Sequence, residues 1–285
     1  EGENTTIKDH YFMVIFIPSL PELSMHRHYL RTKWLNISWW SRDEFDGLGR
    51  GCLTFKLMFV VGKSHNKGHS EQIVKESFEH GDIHLLDMEE RRESLPLKLL
   101  LGLRKSTELY SFSYFVKADH DTLIDLPNLV RGLATTKPTG VYTGYCNRKL
   151  RNTPFKMKFE YCLGGGYVLS ADLVEKISML DDKKIAGITK TIPFEDGYVG
   201  YLVWIVAKQN NIPGPIPQTN PTALQLITGP TKIQFNKYFY HWLKGLRNLD
   251  RVFECRIAAN KTACPMMNFL ILKEDSNCMC DHAKI

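Results

Sequence analysis

The sequence predicts an α/β domain built on a central, mainly parallel sheet flanked by helices, and three observations carry that expectation. Apolar runs of strand length alternate with segments whose apolar residues recur at helical spacing. The runs lack the polar alternation of a half-exposed strand, so their strands are expected to be buried on both faces. A chain of 285 residues with 43% hydrophobic content is long enough to enclose one large core.

Tyr11-Phe-Met-Val-Ile-Phe-Ile17, closed by Pro18, is the first expected strand, and Leu57-Met-Phe-Val-Val61, closed by Gly62, is the second. Ile73, Val74 and Phe78 then mark the apolar face of a helix, and Ile83 to Leu86 forms a short strand. Leu97, Leu100, Leu101 and Arg104 mark the next helix, followed by strands at Ser113 to Val116 and Gly140 to Tyr145. Leu173, Val174, Ile177 and Leu180 mark a helix with Ser170 as its expected N-cap. This alternation makes βαβ units, hence parallel pairing. Asn211-Ile-Pro-Gly-Pro-Ile-Pro217 and Asn220-Pro221 read as loop, because proline removes backbone donors and fixes φ. The expected organisation is a stem remnant at 1–9, the domain at 10–245, and a cysteine-containing extension at 246–285 packed on it.

No apolar run approaches the roughly 18 residues needed to cross a bilayer, so any membrane anchor is expected outside this sequence. Sequons at Asn4, Asn36 and Asn260 and the cysteines bunched between Cys255 and Cys280 point to the secretory pathway. The bunched cysteines read as disulfides rather than a zinc site, since Cys278-Met-Cys280 has too short a gap and His282 is the one nearby imidazole. Cys52, Cys146 and Cys162 fit buried reduced thiols and disulfides equally. The net charge of +6 is modest, and Arg148, Lys149, Arg151, Lys156 and Lys158 sit together either as solvated surface or facing a nucleotide diphosphate. Nothing resembles a nucleic-acid-binding signature.

Asp119-His120-Asp121 follows a predicted strand directly, where open α/β sheets bind ligands. Two carboxylates one residue apart can share a hard divalent cation, which in turn neutralises a diphosphate; alone, such a tripeptide is usually a solvated turn. Phe194-Glu-Asp-Gly-Tyr-Val-Gly200 reads as a tight entry into a helix, with Asp196 either a proton acceptor or a complement to the helix dipole. Gly164-Gly-Gly166 lets a backbone approach closely, whether to a ligand or in a plain turn. His241, within Tyr238-Phe-Tyr-His-Trp242, fits both a packed core residue and a ligand.

In this order the segments resemble a known family, the β1,3-glycosyltransferases of galactose and N-acetylglucosamine. The resemblance runs through Arg27-x-x-x-Arg31-x-x-Trp34, Phe59-Val-Val-Gly62, His80-Gly-Asp-Ile-x-Leu-Leu86 and Leu95-x-Leu-Lys98 to Tyr114-Phe-Val-Lys-Ala-Asp-His-Asp121. It continues through Leu126-Pro-Asn-Leu129, the glycine-tyrosine block Tyr161 to Asp172, Glu195-Asp196 and His241, covering about residues 10 to 245. It implies a GT-A (Rossmann-like) nucleotide-sugar transferase fold, an inverting reaction and Mn²⁺. It further implies Asp121 and His241 as metal ligands, Asp119 at the ribose or the metal, and Asp196 as general base. Arg27, Arg31 and Lys98 match positions expected near the nucleotide, with structural salt bridges equally open, and Gly165 and Gly166 are expected against the donor. The implied partners are a nucleotide-sugar donor, UDP-galactose first and UDP-N-acetylglucosamine second, and a glycan acceptor on a glycoprotein or glycolipid. The implied residence is the Golgi lumen, as a type II membrane protein.

His120 stands where the family commonly has Asp, Gly197 where it has valine, Pro96 where it often has threonine and Ser94 where asparagine is common, which suggests a divergent, protozoan branch. Trp39, Trp40, Tyr145, Trp204 and Trp242 are candidate acceptor contacts. Two other classes fit less well. Asp119-His-Asp-Thr122 mimics the nucleophile motif of haloacid-dehalogenase phosphatases, but that motif opens the first strand of its domain, whereas here a strand–helix series precedes it. A glycan-binding or chaperone domain without catalysis would have no need of the acids at 119, 121 and 196 together.

Overall fold

The computed structural model describes residues 8–34 and 54–210, apart from 125, 145, 147, 151–158 and 186, together with the strand residues 218–219, 234–235 and 239–241. In chain order the elements begin with β1 (His10–Pro18), α1 (Ser24–Tyr29, running into a π-helical turn at Leu30–Trp34), β2 (Phe55–Lys63), α2 (Lys67–His80) and β3 (Ile83–Glu89). They continue with α3 (Leu95–Leu109), β4 (Ser111–Ala118), β5 (Leu123–Ile124), α4 (Leu126–Ala134), β6 (Tyr142–Gly144), β7 (Arg148–Leu150), β8 (Phe159–Tyr161) and β9 (Gly166–Ser170). Next come α5 (Ala171–Ser178), α6 (Asp182–Ile185), α7 (Ile188–Thr191), α8 (Glu195–Gln209), β10 (Gln218–Thr219), β11 (Gln234–Phe235) and β12 (Phe239–His241).

Seven strands form one sheet in the order β10-β6-β9-β4-β1-β2-β3. β1 lies parallel between β2 and β4, with Ile15 opposite Leu57 on one side and Val116 on the other. β2 and β3 are parallel, as are β6 and β10, while β9 runs antiparallel to both β4 and β6. The expectation of a mainly parallel sheet flanked by helices is met. The reversal of β9 brings its first residue beside the last residue of β4, pairing Gly166 with Ala118.

Side-chain alternation separates the two faces. Val14, Phe16, Met58, Val60 and Phe115 pack with Leu99, Leu100 and Leu103 of α3, Leu173, Val174 and Ile177 of α5, and Leu202 and Val206 of α8. On the other face, the Arg31 guanidinium lies 5.0 Å from the centre of the Phe59 ring, and the Tyr114 hydroxyl donates to the carbonyl of Leu133 in α4 at 3.1 Å.

Two helix faces differ from expectation. In α2, Ile73 is buried as expected, but Val74 is 42% and Phe78 86% exposed, and Glu76 takes the inner position because two arginines meet it there. In α3 the buried side is Leu99, Leu100 and Leu103, with Leu97 43% exposed. Ser170 stands at the N-cap of α5 but does not cap with its side chain; its hydroxyl donates to Asp172 Oδ1 at 2.5 Å and accepts from Val141 N at 2.8 Å. Cys146 and Cys162 form a disulfide, deciding their case between thiol and cystine, while Cys52 and the cysteines from Cys255 onward lie outside the described residues. So do the loop expected at 211–217, the sequons and the extension from 246. Among the described residues no helix is long and apolar enough to cross a membrane.

Candidate active site

Asp119 follows β4 immediately, and the chain turns there, with the Thr122 amide donating to the Asp119 carbonyl at 3.0 Å. The turn is pinned from behind by Thr122 Oγ1, which donates to the Gly165 carbonyl at 2.6 Å. Three segments converge here. β4 delivers Lys117 and Asp119, the run into β9 delivers Gly164 to Gly166, and the first turn of α8 delivers Glu195 and Asp196.

The junction is Lys117, 1% exposed at the end of an apolar strand. Its ammonium donates to Asp119 Oδ1 at 2.7 Å, to Glu195 Oε2 at 2.9 Å and to the Gly164 carbonyl. Glu195, 5% exposed, also accepts from the Tyr167 hydroxyl at 2.5 Å. Burial alone would lower the pKa of Lys117, but the carboxylates of Asp119 and Glu195 outweigh it and hold the ammonium well above its ordinary range. Burial pushes Glu195 up, against the pull of Lys117. We describe the pair as ammonium and carboxylate, because both of its partners direct hydrogens at Glu195.

Asp196 is held by backbone: Gly164 N–H donates to Oδ2 at 3.2 Å and Gly197 N–H to Oδ1 at 2.8 Å. Burial raises its pKa, and the two amides offset this only in part. The residue at 164 has no room for a side chain, since an added Cβ would stand 2.9 Å from Glu195 Oε2 and 3.5 Å from the Asp196 Cβ. The close approach foreseen for the glycine block is thus, at Gly164, an approach to the protein's own acids. Gly165 and Gly166 form the wall behind the Asp119 turn.

The structure brings Asp119 and Asp196 to the same charge network through Lys117 and Glu195, with Gly165 and Gly166 behind the turn that also carries Asp121, while Arg27, Arg31 and Lys98 form a network of their own. Arg27, fully buried, donates to Glu76 Oε1 at 2.8 Å and Oε2 at 2.7 Å. It also donates to Ser19 Oγ at 2.8 Å and to the carbonyls of Leu20 at 2.5 Å and Pro21 at 3.0 Å, which spends all five of its N–H groups. Arg31 grips Asp82 through both oxygens at 2.7 Å and Glu76 at 2.7 Å. Burial would raise Glu76, yet the two guanidinium groups hold it below the usual carboxylate range. Lys98 donates to the Ser19 carbonyl and Glu90 Oε1, both at 2.5 Å. Of the two readings open for these residues, nucleotide contact or structural pairing, the geometry is that of structural pairing: Arg27 and Lys98 bind the Ser19–Pro21 segment, and Arg31 shares Glu76 with Arg27.

Lys117, Tyr167 and His26 were given no role from the sequence, Glu195 was read only as the neighbour of Asp196 and Thr122 only as part of a phosphatase-like motif; the His26 ring meets that of His120 edge to face at 5.4 Å. Burial and His120 push the pKa of His26 down, with Asp121 opposing. Thus α1 touches the acidic turn through His26. The backbone of His241 arrives on β12, where Tyr240 pairs with Leu123 and Phe239 with Ile124; that register carries it opposite Thr122, the neighbour of Asp121. Its side chain lies outside the described residues, and among those described no three His, Cys, Asp or Glu side chains gather as metal ligands. Of the aromatics expected at the acceptor, Trp204 stacks on Tyr201 at 5.9 Å along α8 and packs against the core. Trp39, Trp40, Tyr145 and Trp242 lie outside the described residues.

Residues 25–208 match the model of a protein family described as Galactosyltransferase. The chain is 29% identical over 219 residues to the UDP-GalNAc:beta-1,3-N-acetylgalactosaminyltransferase 1 of Homo sapiens, covering 71% of this chain and 62% of that protein. It is 29% identical over 187 residues to the Lactosylceramide 1,3-N-acetyl-beta-D-glucosaminyltransferase A of Danio rerio, covering 58% and 48%. It is 27% identical over 206 residues to the Beta-1,3-galactosyltransferase 1 of Mus musculus, covering 66% and 59%. In each case the aligned part is under two thirds of the relative's own length. The family model spans more than half of the chain and takes in β4, the glycine block and the acid pair at the head of α8, and the chain belongs to the galactosyltransferase family.

Proposed function

We propose that the chain transfers galactose from UDP-galactose to a glycan hydroxyl with inversion, forming a β1,3 linkage in a Mn²⁺-dependent reaction. UDP-N-acetylglucosamine is the second donor, and the name of the human relative adds UDP-N-acetylgalactosamine to the donors to be tried. The observation that carries the reading is the setting of Asp196: a carboxylate held by two amides and raised in pKa by burial, joined through Glu195 and Lys117 to the acidic turn after β4.

Asp119 and Asp121 would supply hard oxygens from one turn and His241 an imidazole, a combination that suits Mn²⁺; the backbone pairing of β12 with β5, next to that turn, supports including His241. When bound, the ion neutralises the charge of the departing diphosphate. Lys117 holds one oxygen of Asp119 and so fixes the carboxylate's orientation. Asp196 takes the proton of the acceptor hydroxyl as its oxygen bonds to the anomeric carbon; the bond to the UDP oxygen breaks on the opposite face, which inverts the centre. Burial raises the pKa of Asp196, which makes it a stronger base than an ordinary aspartate. The Cys146–Cys162 disulfide supports residence in an oxidising lumen, consistent with a Golgi type II protein.

The test is to measure thermal stabilisation and hydrolysis with UDP-galactose, UDP-N-acetylglucosamine and UDP-N-acetylgalactosamine, with and without Mn²⁺, then transfer to galactoside and glucosaminide acceptors using the preferred donor. The account expects Mn²⁺-dependent binding that Asp121→Ala removes. Hydrolysis of a simple phosphomonoester with Mg²⁺ and no response to any UDP-sugar would refute it in favour of a phosphatase.

A further inference from the structure

Phe194 directly precedes the acid pair and is 40% exposed, although its ring is not directed into open solvent. It occupies the N-cap position of α8 in extended backbone, makes no capping hydrogen bond, and folds forward over Gly197. A Cβ added at Gly197 would overlap Phe194 Cε2 and stand 2.7 Å from Cδ2 and 2.9 Å from Cζ. The ring therefore occupies the volume that a side chain at 197 would fill. Tyr161 lies beside it, with ring centres 5.9 Å apart and planes inclined at 41°.

The same two segments hold the carboxylate of Asp196. Gly197, which carries the Phe194 ring, donates its N–H to Oδ1, and Gly164, three residues beyond Tyr161, donates to Oδ2. A part-exposed aromatic surface thus borders the carboxylate on the residues that position it. A pyranose ring is built for this setting: its C–H face packs on an aromatic ring, while its hydroxyls reach outward to polar groups.

We propose that Phe194, seated on Gly197 and flanked by Tyr161, is the platform on which the acceptor's terminal sugar stacks, delivering its hydroxyl to Asp196. The inference rests on the transferase reading above and adds to it an acceptor subsite. A side chain at Gly197 would displace the ring. The platform therefore bears on the choice of acceptor and leaves the donor alone.

The experiment uses the whole chain with Mn²⁺ and the preferred UDP-sugar, and compares wild type with Phe194→Ala, Phe194→Leu, Phe194→Trp and Gly197→Val. Methyl β-galactoside, methyl β-N-acetylglucosaminide and lactose serve as acceptor probes. Phe194→Ala and Gly197→Val should raise the acceptor KM about tenfold, and Phe194→Ala should leave UDP affinity and acceptor-free hydrolysis of the donor within about twofold of wild type. Phe194→Leu keeps an apolar group at the helix start, so a folded Leu variant with the same KM defect assigns the effect to the ring, and Phe194→Trp should retain low KM. An acceptor KM in Phe194→Leu within about twofold of wild type overturns the platform. If wild type neither hydrolyses nor transfers any UDP-sugar, the transferase reading has failed. Saturation-transfer NMR with the same glycosides then judges the platform separately: a glycoside signal present in wild type and abolished in Phe194→Leu upholds it, and no glycoside signal in wild type overturns it.

Discussion

Replacing Lys117 by methionine is the sharpest test of how the site is assembled. The substitution keeps the length of the side chain and its apolar stem but removes three hydrogen bonds, to Asp119, Glu195 and the Gly164 carbonyl. Asp119, with its side chain 27% exposed, can turn to water, so its share is small. Glu195, with its side chain 4% exposed, cannot, and it is left with the Tyr167 hydroxyl as its remaining strong donor. Breaking a buried pair from one side costs about 3–5 kcal/mol. For a chain of this size that corresponds to a fall in Tm of roughly 10 °C. The loss has a pH signature. With Lys117 gone, the pKa of Glu195 in the fold rises further above its unfolded value, so the part of the defect due to the stranded carboxylate is absent below about pH 4.3 and reaches its full size once pH has climbed past the folded value. Adding Glu195→Gln removes the stranded charge and should recover much of the stability and flatten the pH dependence. Urea titrations of the single and double variants between pH 4 and pH 8, taken about one unit apart, read this directly. A loss under about 1 kcal/mol in Lys117→Met, or a defect independent of pH, would refute the reasoning.

Arg27→Lys should destabilise by about 3 kcal/mol or more, since one ammonium cannot replace a fork that serves Glu76, Ser19 and two carbonyls; denaturant unfolding checks it. Gly102→Ala drives a methyl group into the Phe16 ring where α3 crosses β1 and should cost about 1–3 kcal/mol by the same measurement. Replacing both Cys146 and Cys162 by serine frees a loop closed over a separation of 16 residues and should lower stability by about 3 kcal/mol, with the deficit reproduced in wild type by a reductant. Because burial raises the Asp196 pKa, kcat/KM should fall as pH drops through a value above the ordinary aspartate pKa of about 3.9; an acid limb at or below that value contradicts the placement.

β1, β2 and β4 were legible because burial on both faces writes itself as unbroken apolar runs, and they appear where Tyr11–Ile17, Leu57–Val61 and Ser113–Val116 placed them; β3 appears at Ile83–Leu86 as placed, but as an edge strand with Leu85 exposed it does not meet the expectation of burial on both faces. Helix faces were less legible. In α2 the inward side is chosen by Glu76, which must meet Arg27 and Arg31, and local hydrophobicity assigned that role to Val74 and Phe78 instead. The antiparallel insertion of β9 depends on pairings with distant strands that no local pattern records. In the site, Asp119, Asp121 and Asp196 stood out as acids at strand and helix ends. Lys117 carried a signal that went unread: a lysine inside an apolar run needs a buried partner. Which acid that is, 78 positions away at Glu195, comes only from the fold.

The central claim is that Asp196 is the base of a UDP-sugar transferase, and Asp196→Asn tests it most directly. The amide is nearly isosteric but accepts no proton. Transfer to the best acceptor should fall by about 10²-fold or more, while Mn²⁺-dependent affinity for UDP, measured by calorimetry on the same preparation, stays within about twofold. Full transfer activity in Asp196→Asn would contradict the account.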